Sequence, residues 1–349
     1  MFFRLVKKSL LLGALVFLLA CAVLIYQLVR FQFEPIHLTQ DIQNFTIDSG
    51  SNIRTISQKL GLEKIIDDPW LFILMARIKG QENSLRAGEY ELRSGQTSSE
   101  LLDIFTRGLS IQYNFTIIEG WTFRQLLSEI SKDTIILNTL EGKSNDEIIE
   151  ILGISEKHPE GLFFPDTYLF PKDTTDVSFL RRAYQLMKKH LQREWQNRAA
   201  NLPVKTPYEA LILASIVEKE TGAAFERPLI AGVFTQRLRK GMRLQTDPTV
   251  IYGMGDEYQG DIRFRDLKKD TPYNTYTRKG LTPTPIALPG LDAIKAVLHP
   301  EATDALYFVS KGDGTHQFSK TLKEHNAAVS RYQLNGKSPK RKSTSGAEN

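Results

Sequence analysis

Cysteine is almost absent from this chain of 349 residues: Cys21 is its only thiol, and it lies inside an apolar run. The remainder therefore has no disulfide framework and no thiol nucleophile. Histidine is nearly as scarce. The six, at positions 37, 158, 190, 299, 316 and 325, include no pair at helical ligand spacing, so nothing calls for a metal site or a cofactor. His316 and His325 fall in an expected hairpin and an expected last helix and read as structural. Acidic residues are missing from the first thirty positions, which hold Arg4, Lys7, Lys8 and Arg30. The end of the chain is basic too, with Lys337, Lys340, Arg341 and Lys342 against Glu348. These two ends more than account for the formal net charge of +5, leaving a slightly acidic body. A nucleic-acid binder carries its cations on the folded surface, so this distribution argues against nucleic acid as a partner.

Charge of either sign is also absent from residues 10–29, "LLLGALVFLLACAVLIYQLV". A helix of about twenty residues is ~30 Å long, the thickness of a bilayer's hydrocarbon core. The cations before it predict a cytoplasmic N-terminus (residues 1–9), a single membrane span over 10–29, and an exported body. A cleaved signal peptide has a shorter apolar core, and a lipoprotein signal ending at Cys21 would not continue apolar beyond it, so a permanent anchor is expected.

Past the anchor a pattern recurs: "FTIDSGSNIRTISQKL" from Phe45, "YELRSGQTSSELLDIF" from Tyr90 and "NFTIIEGWTFRQLLSEI" from Asn114. Each is a short β-rich run, a Gly turn, a capping residue (Asn52, Thr97 or Thr122), and then a helical apolar period. The expected fold class is α+β. It comprises an N-terminal transmembrane helix, a small βααβ-like module over 40–110, and a larger mixed α/β domain over 111–334. A disordered Ser/Lys-rich tail is expected over 335–349. The small module resembles LysM-like modules, which hold glycan chains; a plain spacer is the alternative.

Within the larger domain, Thr206-Pro207-Tyr208-Glu209 predicts a helix start with a capping box. That helix carries "LILASIVEKETG" (Leu211–Gly222) and should end near Gly222. On a helical wheel Ile212, Leu213, Ile216 and Val217 form a bulky stripe with Glu220 in its middle, while Glu218 shares a face with Ala214 and Ser215. Two residues apart, the glutamates point away from each other, which excludes a pair within the triplet. Glu220 over the core calls for a partner such as Arg227 or Arg237. Glu218, flanked by small side chains, leaves room for a ligand. Loss of solvation raises a carboxyl's pKa toward that of a general acid, an argument that fits either residue, so periodicity alone favours Glu218. A second helix should stop at Gly241, and Met242–Gly290 reads as a long irregular tract. A hairpin through Phe318 and a helix over Thr321–Tyr332 close the domain.

The motifs "EGLFFPDTY" (Glu160–Tyr168), "ASIVEKETG" (Ala214–Gly222), "MRLQTDPTVIYGMG" (Met242–Gly255), "YNTYTRKGLTPTPIALPG" (Tyr273–Gly290) and "GDGTHQFSKTLKEHN" (Gly312–Asn326) stand in order along the chain. Together they resemble the MltG (YceG-like) endolytic murein transglycosylases. The resemblance implies an inner-membrane, single-pass enzyme with a periplasmic body. It implies peptidoglycan strands as substrate and cleavage of the MurNAc-β-1,4-GlcNAc bond to leave 1,6-anhydro ends. It also implies wall-synthesis enzymes as partners, no cofactor, and the first Glu of the triplet, Glu218, as acid/base. One glutamate suffices for this chemistry, because the sugar's own 6-hydroxyl replaces water. Gln245, Asp247, Thr249, Tyr252, Asn274, Thr275 and Tyr276 are candidates for gripping sugar, by hydrogen bonds or ring stacking, with loop structuring as the alternative. A non-catalytic wall-binding scaffold and a hydrolytic muramidase would carry much of the same sequence.

Overall fold

The computed structural model describes residues 2–334, without the side chains of residues 2–6 and 9; the tail expected to be disordered lies outside it. The fold is mixed α and β. It divides into two compact units, Met1–Asn114 with Leu169–Asp173, and Phe115–Tyr168 with Thr174–Asn349.

The first unit opens with α1 (Phe2–Phe33), whose Leu10–Phe33 stretch is long and apolar enough to cross a membrane. Its last turn does something the sequence did not reveal. Phe31 is buried, together with Ile36, in the same apolar cluster as Phe45, Leu60, Phe72, Tyr90 and Phe105. The helix end is therefore part of this unit's core and is more than a tether. Strand β1 (Ile42–Ile47) is followed by α2 (Ile53–Leu62), α3 (Pro69–Ile78), β2 (Gly88–Arg93) and α4 (Ser98–Arg107). β1 and β2 pair antiparallel with Phe45 opposite Tyr90, and both rings pack on Phe105. The caps fall where the sequence puts them: Asn52 accepts from the Thr55 amide, and Thr97 forms a reciprocal capping box with Glu100. The division between the units falls within β3 (Tyr113–Thr116) and β4 (Thr167–Phe170), which form a two-stranded sheet.

The second unit is built around one buried helix. After α5 (Phe123–Lys132, capped by Thr122), α6 (Asn145–Leu152) and α7 (Asp176–Gln196) comes α8 (Pro207–Glu220). Every residue of α8 from Ala210 to Val217 is buried, so it has no solvent face along that stretch. Thr206 caps it by accepting from the Glu209 amide, but Glu209 reaches back to the Lys205 amide instead of closing a box with Thr206. α8 packs against α7, α9 (Arg227–Arg239), α10 (Asp247–Met254) and α11 (Leu291–Leu298). α10 interrupts the tract expected to be irregular. It is only eight residues long, with Pro248 in its first turn and glycines near its end, too short to show an apolar period. The hairpin of β5 (Tyr307–Ser310) and β6 (His316–Ser319) and helix α12 (Leu322–Tyr332) complete the unit as expected.

Candidate active site

The small side chains of α8 serve a purpose other than the one their position suggested. Ala214 and Ser215 are fully buried, Ser215 against the segment Pro285–Gly290. The Ile286 amide donates to Ser215 Oγ at 3.0 Å, and further along the Gly290 amide donates to Glu218 Oε2 at 2.9 Å. What looked like room for a ligand is room for a backbone, since only small residues let a main chain approach a helix this closely. Glu218 stands at the C-terminal end of α8, where complete burial gives way to partial exposure.

Glu218 has a side chain only 5% exposed. Its Oε1 accepts from Arg227 Nη2 at 2.9 Å, and its Oε2 accepts from Gly290. Arg227 opens α9, and its side chain is itself only 10% exposed. The same Nη2 lies 3.5 Å from Glu119 Oε2, and the Glu119 side chain is 46% exposed. Glu119 comes from the turn before α5, nearly a hundred residues upstream of Glu218. That turn is laced to the 288–290 segment, with Gly120 donating to the Leu288 carbonyl at 2.8 Å and Leu288 to the Trp121 carbonyl at 2.7 Å. Lys219 Nζ donates to the Gly120 carbonyl from the other side. The positive φ of Gly120 suits this turn. The Glu119 carboxyl is raised above the ordinary carboxylate range. Burial is the main cause, the Glu218 charge adds to it, Arg227 opposes it, and Asp292 adds a little.

Glu220, two residues on, ends α8 and enters a different environment. Its Oε1 accepts from the Thr246 hydroxyl, and neither Arg227 nor Arg237 pairs with it. Arg237 instead donates to the carbonyls of Leu306, Arg243 and Leu244. The expected ion pair is thus replaced by a hydroxyl. Burial pushes the Glu220 carboxyl up to about 7, offset in part by the Thr246 hydrogen bond, with Asp247 adding and Arg237 opposing. The glutamates of the triplet share no partner, as their spacing requires.

The sugar-gripping candidates separate by exposure. Gln245, held at φ +50°, and Asp247 are exposed. Asp247 accepts from the partly buried Tyr276 hydroxyl at 2.5 Å; burial, reinforced by this hydrogen bond, raises the phenol well above its ordinary range. Thr249, Asn274 and Thr275 are buried, and their polar groups are engaged within the loops. Thr249 donates to the Thr246 carbonyl and meets Thr275 Oγ1 at 2.9 Å. Asn274 Nδ2 donates to the carbonyls of Asp266, Leu267 and Lys269, while its Oδ1 accepts from the Tyr276 amide. Tyr252 donates to Glu160 Oε2 at 3.0 Å. Glu160, buried and bonded also to the Phe123 amide, is pushed up to about 7 chiefly by burial. Among the described residues no cluster could hold a metal ion.

Sequence reading missed Glu119 and the engagement of Arg227. The signal present was "IEGW" at a strand–turn–helix junction, but only the fold shows that this turn meets the end of α8.

This geometry occurs in a chain with recognisable relatives. It is 33% identical to an endolytic murein transglycosylase of Bacillus subtilis over 306 residues, which cover 83% of this chain and 84% of that one. It is 28% identical to an endolytic murein transglycosylase of Streptococcus pneumoniae over 320 residues, spanning 57% of that longer protein. A crystal structure of a YceG-like protein from Listeria monocytogenes aligns over 83% of this chain and all of its own, with a TM-score of 0.50 and 29% identity. The YceG-like family profile matches residues 45–331, and the chain belongs to the YceG-like family.

Proposed function

We propose that this chain is an endolytic murein transglycosylase in which Glu218 is the single acid/base. Its substrate is the MurNAc-β-1,4-GlcNAc bond within glycan strands, and its products end in 1,6-anhydro-MurNAc. The observation that carries this reading is the setting of Glu218. It is a carboxyl fixed at the end of a buried helix by a main-chain amide and an arginine, in a chain whose relatives bear that enzyme name.

In the first step the protonated Glu218 carboxyl gives its proton to the bridging oxygen as the C1–O bond of MurNAc breaks, leaving an oxocarbenium-like sugar. In the second, the 6-hydroxyl oxygen of the same sugar attacks C1 and its proton returns to the Glu218 carboxylate. No water is consumed, and the enzyme ends in its starting protonation state. The Gly290 N–H fixes the carboxyl's orientation throughout, and Arg227 offsets the negative charge that Glu218 holds between the steps. Gln245 and Asp247, which are exposed, and Tyr276, which bonds Asp247, take the role of meeting sugar, whereas Thr249, Tyr252, Asn274 and Thr275 shape the loops that carry them. The 40–110 module, read as LysM-like, adds a hold on glycan. α1 is a single-pass anchor, with a cytoplasmic N-terminus and a periplasmic body, keeping the site near membrane-bound wall synthesis.

The test uses the full-length protein in detergent with intact peptidoglycan, followed by fragment masses. Internal fragments with anhydro ends, absent with Glu218→Gln, support the reading. Reducing ends that have gained water would make the protein a muramidase, and bound but uncut glycan would make it a scaffold.

A further inference from the structure

An arginine bound to a single carboxylate holds that carboxylate ionised, the wrong state for a general acid. The site contains the means to avoid this. Arg227 Nη2 is shared between Glu218 at 2.9 Å and Glu119 at 3.5 Å, two carboxylates to one cation. Nothing else anchors the guanidinium: among the described residues its Nε is buried without a hydrogen-bond partner. Arg237, bonded to backbone carbonyls through both Nε and Nη1, shows how a fixed arginine is held in the same unit.

Glu119 also has a seat made for it. A Cβ on Gly290 would collide with Glu119 Oε1, so the carboxyl occupies space that a side chain at 290 would fill. The same glycine donates its amide to Glu218. One residue thus bonds the enclosed carboxyl and leaves room for the half-exposed one.

On the reading that Glu218 is the acid/base, we infer that Glu119 is a positioning residue that acts through Arg227, serving as the alternative counter-ion that lets Glu218 carry the catalytic proton. When Glu218 is protonated, Arg227 pairs with Glu119; when Glu218 has given up its proton, Arg227 pairs with it. The charged groups facing the pair are Arg227 from α9, Lys219 from α8, whose Nζ bonds the Gly120 carbonyl, and Asp292 from α11. With Glu119 neutralised, Glu218 keeps the whole of Arg227 and loses a neighbouring negative charge. Both changes favour its ionised form.

The experiment is the pH profile of kcat/KM for glycan-strand cleavage by the full-length protein, comparing wild type, Glu119→Gln and Glu119→Asp. The alkaline limb, where the acid form of Glu218 is lost, is expected to move down by about one pH unit in Glu119→Gln and to return most of the way in Glu119→Asp. A lower rate with an unmoved limb would overturn the inference and leave Glu119 with a structural role. If Glu119→Gln is inactive throughout, the Glu218 carboxyl is titrated directly by carbon-13 NMR on glutamate-labelled protein, its resonance identified by its loss in Glu218→Gln. A midpoint lowered in Glu119→Gln supports the inference, and an unchanged midpoint overturns it. Cleavage that survives Glu218→Gln would instead overturn the underlying assignment of Glu218.

Discussion

Glu218 and Glu220 leave the same turn of α8, yet the two sides of that helix end treat them in opposite ways. Glu218 meets charge: an arginine, a main-chain amide and, through the arginine, a second carboxylate open to solvent. Glu220 meets a neutral hydroxyl, and burial pushes its carboxyl up to about 7. A raised pKa is the property usually sought in a general acid, and here burial raises the carboxyl of Glu220, which has no charged partner bonded to it. On the reading proposed for Glu218, burial alone does not mark the reacting group. What distinguishes Glu218 is an arginine shared with a second carboxylate, that of the half-exposed Glu119.

The sharpest way to break this comparison is to neutralise each carboxyl in turn. Glu218→Gln should lower the rate of anhydro-end formation by about 10³-fold, the scale of a lost general acid/base. Glu220→Gln should keep activity within about tenfold. Equal losses, measured by mass spectrometry of the fragments, would erase the distinction. Removing the cation comes next. Arg227→Met leaves a buried carboxylate without its partner, and urea unfolding should show a loss on the order of 3 kcal/mol.

The two sides should also differ in pH dependence. The folded Glu220 carboxyl sits at about 7 against an ordinary value of 4.5, so between those limits the folded state binds more protons than the unfolded one. Stability should therefore fall as pH rises from about 4.5 to about 7, by on the order of 2–3 kcal/mol from this group, and level off above. The fully buried Glu160, raised to a similar value, adds a slope of the same sign. Glu220→Gln should flatten the dependence in part, and an unchanged slope would show that Glu220 does not titrate there. The smallest effect is expected for Thr246→Val, which removes the hydroxyl bonded to Glu220 and should cost about 1 kcal/mol in the same unfolding assay.

Local chemistry was readable where it depends on near neighbours. The caps at Asn52, Thr97, Thr122 and Thr206 are side chains bonding amides three residues away, so the code lies within one turn. The hairpin after Tyr307 is equally local. Helix α10 was not readable, because eight residues carrying a proline and a glycine give no period to detect. The wheel for α8 placed the two glutamates on different sides correctly. It went astray over Ala214 and Ser215, because a helix buried all round has no face that amphipathic reasoning can assign to solvent.

The sequence by itself determined an apolar helix long enough to span a bilayer, an α+β body, the separation of Glu218 from Glu220, and the membership carried by its ordered motifs. These follow from length, period and local hydrogen bonding, which a linear chain encodes within a few residues. Tertiary structure alone decided that Phe31 joins the core at the end of the apolar helix, that the Pro285–Gly290 backbone bonds Ser215 and Glu218 of α8, and that Arg227 lies between Glu218 and Glu119. The last of these joins a turn, a helix end and a helix start far apart in sequence. Their charges act on one another across a few ångströms of partly desolvated space, a distance that exists only once the chain has folded.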